Sequence, residues 1–137
     1  MADVTSDATL PGSQLVEWVA LTIDCSDAGA LADFYVRGLG ASLRRQSDDS
    51  AWVVLHQLPI VLRAVPGYQP PTWPSAEVPL QTHFEVVVHD PDEAAQRLEK
   101  HGAAEIYRDP HDPHYVVMRD PAGHPFCLIR SSRAHRP

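Results

Sequence analysis

In VEWVALTIDCSDAGALADFYVRGLGA, residues 16–41, an alternating apolar pattern leads into a helix-start signal, an apolar helix and a Gly-Ala pair. The same layout returns in THFEVVVHDPDEAAQRLEKHGA, residues 82–103. Three short strand-like runs follow each stretch and end near Val65 and Arg130. Two copies of one pattern in 137 residues predict a single pseudo-symmetric domain with a cleft between its halves, and we expect the function to lie in that cleft.

Residue spacing predicts the same elements in both halves. Apolar and polar residues alternate in Trp18–Asp24 and Thr82–Val88, as is typical of half-buried strands. Cap-type side chains at Ser26–Asp27 and at Asp90 precede helices predicted over Ala28–Arg37 and Asp92–Lys100. The remaining predicted strands are Ser42–Gln46, Ala51–His56, Ile60–Val65, Ala104–Tyr107, His114–Arg119 and Phe126–Arg130, with a turn at Gln57–Leu58–Pro59. This order predicts an α+β fold: two βαβββ modules in tandem that form a pseudo-twofold, curved mixed sheet around a concave cleft, with the helices outside.

The predicted domain organisation follows from proline content and polarity. Residues 1–14 are expected to form a flexible N-terminal tail, and residues 131–137 a C-terminal tail. Between them, 15–130 are expected to form one domain, with module one at 15–65, a connector at 66–80 and module two at 81–130. The connector holds five of the thirteen prolines, which predicts a stiff, extended segment. It also carries Tyr68 and Trp73, aromatic rings that a spacer does not need.

Composition argues against several classes of partner. The net charge is −7 and no basic run exceeds Arg44–Arg45, so nucleic-acid binding is not expected. No run of about 20 apolar residues is present, so a membrane span is not expected either. The polar N-terminus does not resemble a signal peptide. Cys25 and Cys127 form no CxxC pair or disulfide framework, and we expect a cytoplasmic protein.

Two motifs carry a family resemblance over about Leu15–Arg130. The run Asp27–Tyr35 and the turn Asp120–Pro121–Ala122–Gly123, together with the repeated layout, resemble the vicinal oxygen chelate superfamily. That superfamily includes glyoxalase I, extradiol dioxygenases and the fosfomycin and bleomycin resistance proteins. The chain is most similar to the small bacterial glyoxalase-like domains, which share a proline-rich connector. The resemblance implies a homodimer but leaves the chemistry open, because this fold hosts many reactions.

The resemblance also implies four positions for metal ligands, normally His, Gln or Glu. In this sequence they fall on Trp18, Val61 (or Arg63 in a register shifted by two), His83 and Cys127. One imidazole in four cannot hold a divalent ion, so we predict no metal and no cofactor. Three alternatives stay open: a new site around His83 and Glu85 with His56 or Cys127, a ligand cluster in His111–His114, and a Cys127–His83 thiolate–imidazole pair.

Without a metal, the concave face is predicted to form an aromatic-walled ligand pocket. The candidate catalytic residues are His83 and Glu85, and the candidate ligand-binding residues are Trp18, Trp52, His56, Val61, Arg63, Cys127 and Ile129. Trp18 and Trp52 are expected to stack on a planar ligand. The first hypothesis is a bleomycin-resistance-type protein that binds and sequesters a small hydrophobic or aromatic metabolite. The second is a metal-free isomerase, cyclase or lyase that uses His83 and Glu85 as an acid–base pair. The third is a glyoxalase- or dioxygenase-type metalloenzyme with a rebuilt site.

Overall fold

The computed structural model describes residues 15–132, and it contains the predicted tandem repeat. Module one contains β1 (Leu21–Cys25), α1 (Ala28–Arg37), β2 (Ser42–Gln46), β3 (Ser50–Leu55) and β4 (Leu58–Ala64). Module two contains β5 (Glu85–Val88), α2 (Pro91–Glu99), β6 (Ala104–Tyr107), β7 (Tyr115–Arg119) and β8 (Pro125–Arg130). The predicted tail at residues 1–14, and residues 133–137 of the C-terminal tail, lie outside the described part.

Each module forms its own four-stranded mixed sheet. The strand orders are β1-β4-β3-β2 and β5-β8-β7-β6, and the first strand of each module runs parallel to the last. The α+β fold and the two βαβββ modules are therefore confirmed, with the strands divided between two sheets. Among residues 15–132, no helix has the length and apolar character that crossing a membrane requires.

Both helices begin where the sequence predicts a cap. Asp27 Oδ1 accepts a hydrogen bond from the backbone N–H of Ala30 at 3.0 Å, and Asp90 Oδ1 accepts one from Asp92 at 3.0 Å. Pro91 occupies the first turn of α2, where a missing N–H costs no helical hydrogen bond. These side chains satisfy N–H groups that have no partner inside the helix.

The helices lie on one face of each sheet, so each strand side chain points either towards a helix or away from it. Helix α1 packs on β2, β3 and β4, and α2 packs on β6, β7 and β8. The residues beneath them are fully or almost fully buried: Cys25, Ala51, Val53, Ile60, Leu62, Val116, Met118, Phe126 and Leu128. Because side chains alternate along a strand, the residues between them face away from the helices. The site was predicted on this face, opposite the helices.

Aromatic packing and a buried hydrogen bond join the modules. Phe34 and Tyr35 of α1 contact Phe126 and Phe84 of module two, with ring centroids 6.3 and 6.2 Å apart. The Tyr35 hydroxyl donates to Asp120 Oδ2 at 3.0 Å, although 85 positions separate the two residues. Helix α1 therefore packs on its own sheet and also anchors the second module.

The connector is held against module two at the turn between β7 and β8. The Tyr68 hydroxyl donates to the carbonyl oxygen of Ala122 at 2.8 Å and lies 3.0 Å from His124 Nε2. Gly123 has a φ of +89°, and a Cβ there would lie 2.5 Å from the Cβ of Pro70. Only glycine permits both this backbone conformation and this close approach.

Candidate functional site

The register of the sheets shows which predicted site residues share a face. On module one, Thr22 pairs with Val61, which pairs with Trp52. On module two, Glu85 pairs with Cys127, which pairs with Val117. The two rows are equivalent, since Thr22 and Glu85 each lie five residues before a helix cap, Asp27 or Asp90. The structure therefore places Val61 and Cys127 at matching positions of the two modules.

The same register corrects one sequence assignment. His83 lies two residues before Glu85, so its counterpart two residues before Thr22 is Ala20, whereas Trp18 had been assigned to that position. Trp18 precedes β1, and 71% of its surface is exposed. The predicted strand began three residues too early. Apolar and polar residues already alternate from Trp18, but β1 pairs with β4 only from Leu21 onwards.

His56 also falls outside the predicted site. His56 and Gln57 form the turn between β3 and β4, with positive φ angles of 45° and 74°, while Leu58 and Pro59 belong to β4. Two positive φ angles are what a tight two-residue hairpin requires. The predicted turn at Gln57–Leu58–Pro59 was therefore placed one residue late, and the exposed His56 lies at the tip of the hairpin, outside the sheet face.

The face of module two carries a cavity of about 430 Å³ that we call the aromatic chamber. Trp73, Tyr107 and Tyr115 form its aromatic walls, and His83, Val117 and Cys127 also line it. The rings of Trp73 and Tyr107 meet edge to face at 5.8 Å, and those of Tyr107 and Tyr115 lie 6.5 Å apart. A volume of several hundred Å³ with apolar walls and few polar groups is typical of small-molecule sites.

Internal hydrogen bonds of the connector present Trp73 to this chamber. The backbone N–H of Thr72 donates to the carbonyl oxygen of Val78 at 2.8 Å, and the N–H of Val78 donates to Thr72 Oγ1 at 2.9 Å. A further bond from the Ser75 N–H to the Thr72 carbonyl oxygen closes the loop around Trp73. The predicted extended connector is therefore folded back on itself here. The signal in the sequence was an indole in a proline-rich spacer, but the sequence did not show which surface it covers.

The structure gathers some predicted site residues and separates others. His83 and Cys127 line the aromatic chamber, and Glu85 is the strand partner of Cys127. Trp52, Val61 and Arg63 lie on the sheet of module one and do not line this chamber, and Ile129 of β8 does not line it either. The side chains of His83 and Glu85 are both exposed, and within residues 15–132 no hydrogen bond or ion pair joins them. The predicted site combined residues of both modules, and within a single chain these residues do not line one common cavity.

Electrostatics disfavour a thiolate in the chamber. Burial raises the pKa of the Cys127 thiol, and the neighbouring carboxylate of Glu85 raises it further. The pKa of Tyr115 is also raised, first by desolvation and then by the adjacent Tyr107. Neutral thiol and phenol groups bind ligands through packing and hydrogen bonds, whereas a reactive cysteine needs a lowered pKa.

A second cavity, of about 520 Å³, lies between the modules, and we call it the intermodule cavity. Leu21–Asp24 of β1 form one wall, His83 and Phe84 form another, and the connector closes it. Tyr68 and His124 also line it. A cleft between the halves is therefore present. Tyr68 of the connector contributes an aromatic ring to its wall, whereas Trp18 and Trp52 do not line it.

The donor atoms do not suit the metal that the fold family implies. The four equivalent positions hold Ala20, Val61, His83 and Cys127, which offer one imidazole and one thiol whose pKa is raised. In the described part of the chain, no group of three or more His, Cys, Asp or Glu side chains is placed to hold a metal ion, and this includes the run His111–His114. Alanine and valine have no donor atom, and a catalytic metal needs about three protein ligands.

Comparison with known families agrees with this fold. The model of the glyoxalase-like domain family matches residues 20–129. The chain therefore belongs to the glyoxalase-like domain family, within the vicinal oxygen chelate superfamily. Comparison with curated protein sequences gave no match.

Solved structures resemble the chain in fold at low sequence identity. The fosfomycin resistance protein FosX from Listeria monocytogenes superposes with a TM-score of 0.65 at 15% identity, over 84% of this chain and 93% of its own. FosX from Mesorhizobium loti gives 0.63 at 14% identity, over 84% and 92%. A gene product from Arabidopsis thaliana gives 0.64 at 18%, over 84% and 98%. One Listeria FosX structure is complexed with Mn(II) and a sulfate ion.

Proposed function

We propose that this protein binds a small hydrophobic or aromatic metabolite in the aromatic chamber, without a metal, in the manner of a binding or sequestration protein of the bleomycin-resistance type. The observation that supports this most strongly is the set of three rings, Trp73, Tyr107 and Tyr115, around one cavity of about 430 Å³. Aromatic rings bind planar ligands by offset or edge-to-face contacts and bury a large apolar area. His83 and the Cys127 thiol supply the few polar groups that orient such a ligand.

Isothermal titration calorimetry with indole as the probe tests this proposal. We expect saturable binding that survives excess EDTA, because no metal takes part. Trp73→Ala should weaken binding about tenfold, since stacking and apolar contact with one ring are lost. Trp52→Ala is the matched control, because Trp52 lies on the sheet of module one, away from the chamber, and its affinity should equal that of the wild type.

Each outcome of that titration is decisive. Thermal unfolding of the two variants shows whether both are folded, and Trp73 lies on the connector, outside the strands and helices. Equal weakening by Trp52→Ala and Trp73→Ala would overturn the location of the site. Absence of saturable binding to the wild-type protein by indole, naphthalene and phenol alike would overturn the proposed ligand class.

We also propose that the protein acts as a homodimer in which a second copy covers the face of the module-one sheet that lies opposite helix α1. On this face the ring of Trp52 is 39% exposed and lies beside its half-buried strand partner Val61, and the half-buried Val54 follows two residues along the same strand. Patches of this kind mark protein contacts more often than free surface. Trp52→Asp should therefore convert a dimer to a monomer in sedimentation equilibrium. A wild-type protein that sediments as a monomer at 100 µM would contradict the proposal.

A further inference from the structure

The aromatic chamber and the intermodule cavity adjoin. Leu80, His83 and Pro125 line both of them, so the two spaces share one wall. His83 lies at this boundary with an exposed side chain, and it carries the only imidazole common to both. A ligand whose ring fills the chamber is therefore directed past His83 towards β1 of module one.

The permanently charged lining of this path is acidic. Of the described residues that line the two cavities, none is Lys or Arg, and the one carboxylate is that of Asp24 in β1. Arg63 is close to Asp24, with Nε 4.0 Å from Oδ1, but this is a long, solvent-exposed pair and holds the carboxylate weakly. A partly enclosed anion needs a paired cation or several donors, and none of the described residues that line this path is permanently cationic.

The other histidine on the path is already engaged. His124 Nε2 lies 3.0 Å from the Tyr68 hydroxyl and also contacts the carbonyl oxygen of Asp24. These contacts hold the imidazole against the turn, and Asp24 is then the one acidic residue among the described residues that line the path of a ligand tail. An ammonium group is the natural partner of that carboxylate.

We infer that the ligand is an aromatic amine, with its ring in the aromatic chamber and its protonated amine beside Asp24, and that the site discriminates against an anionic tail of the same length. This inference rests on the proposed function, since it extends the same site. It gives the intermodule cavity a role in specificity, and it makes Asp24 a specificity-determining residue. A positively charged tail gains a partner there, whereas a carboxylate tail meets a like charge.

Three probes that share one ring test the inference by calorimetry at pH 7.5: indole, tryptamine and indole-3-propionate. Tryptamine should bind at least fivefold more tightly than indole, and indole-3-propionate no more tightly than indole. Asp24→Asn should remove the advantage of tryptamine over indole. Asp33→Asn is the matched control, since it removes the same charge from an exposed residue of α1 that pairs with Arg37.

The outcomes separate this inference from the function on which it rests. If indole binds and the three probes have equal affinities, or if indole-3-propionate binds most tightly, the amine preference is wrong while the aromatic chamber stands. If Asp24→Asn and Asp33→Asn reduce tryptamine binding equally, the effect is one of net charge and the role of Asp24 is refuted. If none of the three probes binds, the proposed function fails, and this inference fails with it.

Discussion

Replacing Tyr35 with phenylalanine removes the hydroxyl that links helix α1 to the second module. That hydroxyl donates to Asp120 Oδ2 at 3.0 Å, and both residues are buried, with none of Tyr35 and 2% of Asp120 exposed. The other carboxylate oxygen accepts hydrogen bonds from the backbone N–H groups of Ala122 and His124. The substitution thus leaves one oxygen of a buried carboxyl group without its donor, while the ring and its packing against Phe34 and Phe84 remain.

The expected loss follows from the charge of the acceptor. A buried hydrogen bond to a carboxylate contributes about 2 kcal/mol, roughly twice the contribution of a neutral pair. The unfolding entropy of a chain of this length is about 0.29 kcal/mol/K, so the melting temperature should fall by about 7 °C at neutral pH.

The loss should depend on pH, because burial raises the pKa of Asp120. A carboxyl group with a raised pKa in the folded state stabilises the fold fully below its unfolded pKa of about 4, and this contribution is lost as pH rises through the folded value. Tyr35 opposes the rise by stabilising the charged form. Without the hydroxyl the pKa rises further, so the loss of unfolding free energy at pH 8 should be about twice the loss at pH 4.

Urea unfolding followed by circular dichroism at pH 4, 6 and 8 measures both effects. Tyr107→Phe is the matched control, since its ring is 40% exposed and loss of the hydroxyl should change stability by less than about 0.5 kcal/mol. A loss below about 0.5 kcal/mol for Tyr35→Phe at pH 8, or an equal loss at every pH, would refute the assigned role of the pair.

The remaining predictions concern two glycines and a thiol. Gly123→Ala should cost about 3 kcal/mol, because a positive φ and the close approach of the connector both oppose a Cβ, whereas Gly40→Ala has open space and should cost about 1 kcal/mol for its positive φ alone. Equal melting temperatures for the two variants would show that the connector is not packed as described. Iodoacetamide should alkylate Cys127 at pH 7.5 at least about tenfold more slowly than glutathione, and Glu85→Gln should accelerate the reaction, since both burial and that carboxylate raise the thiol pKa. Alkylation of Cys127 faster than that of glutathione would contradict this prediction and would support a role for Cys127 as a nucleophile.

Local patterns predicted the secondary structure because each signal lies within a few residues. The helix over Ala28–Arg37 and the strands Ser42–Gln46 and Ala104–Tyr107 occur with the predicted bounds. Errors lie at element ends, as in β1, where alternation begins at Trp18 but pairing with β4 begins only at Leu21. Hydrophobic periodicity shows which way side chains face, but it does not show where a partner strand starts.

The site was harder to predict because it depends on contacts between distant segments. His83 and Cys127 were identified from their pattern positions, and both line the aromatic chamber. Trp18 and Trp52 were predicted as its walls, yet the rings there are those of Trp73, Tyr107 and Tyr115. Tyr107 lies on β6 and Tyr115 on β7, and the alternation of apolar and polar residues does not show that these two rings belong to one site.

The amino-acid order alone determined the repeated module and its helix caps, and it left a single histidine among the four positions at which the family resemblance implies metal ligands. These properties reside in short-range spacing and in the donor atoms of single residues. Only the tertiary structure decided that the connector folds over module two, that Tyr35 reaches Asp120, and that neither tryptophan of module one lines the two cavities at His83. Such choices come from packing between segments that are far apart in the chain, where the free energy of burying a ring depends on which surface receives it.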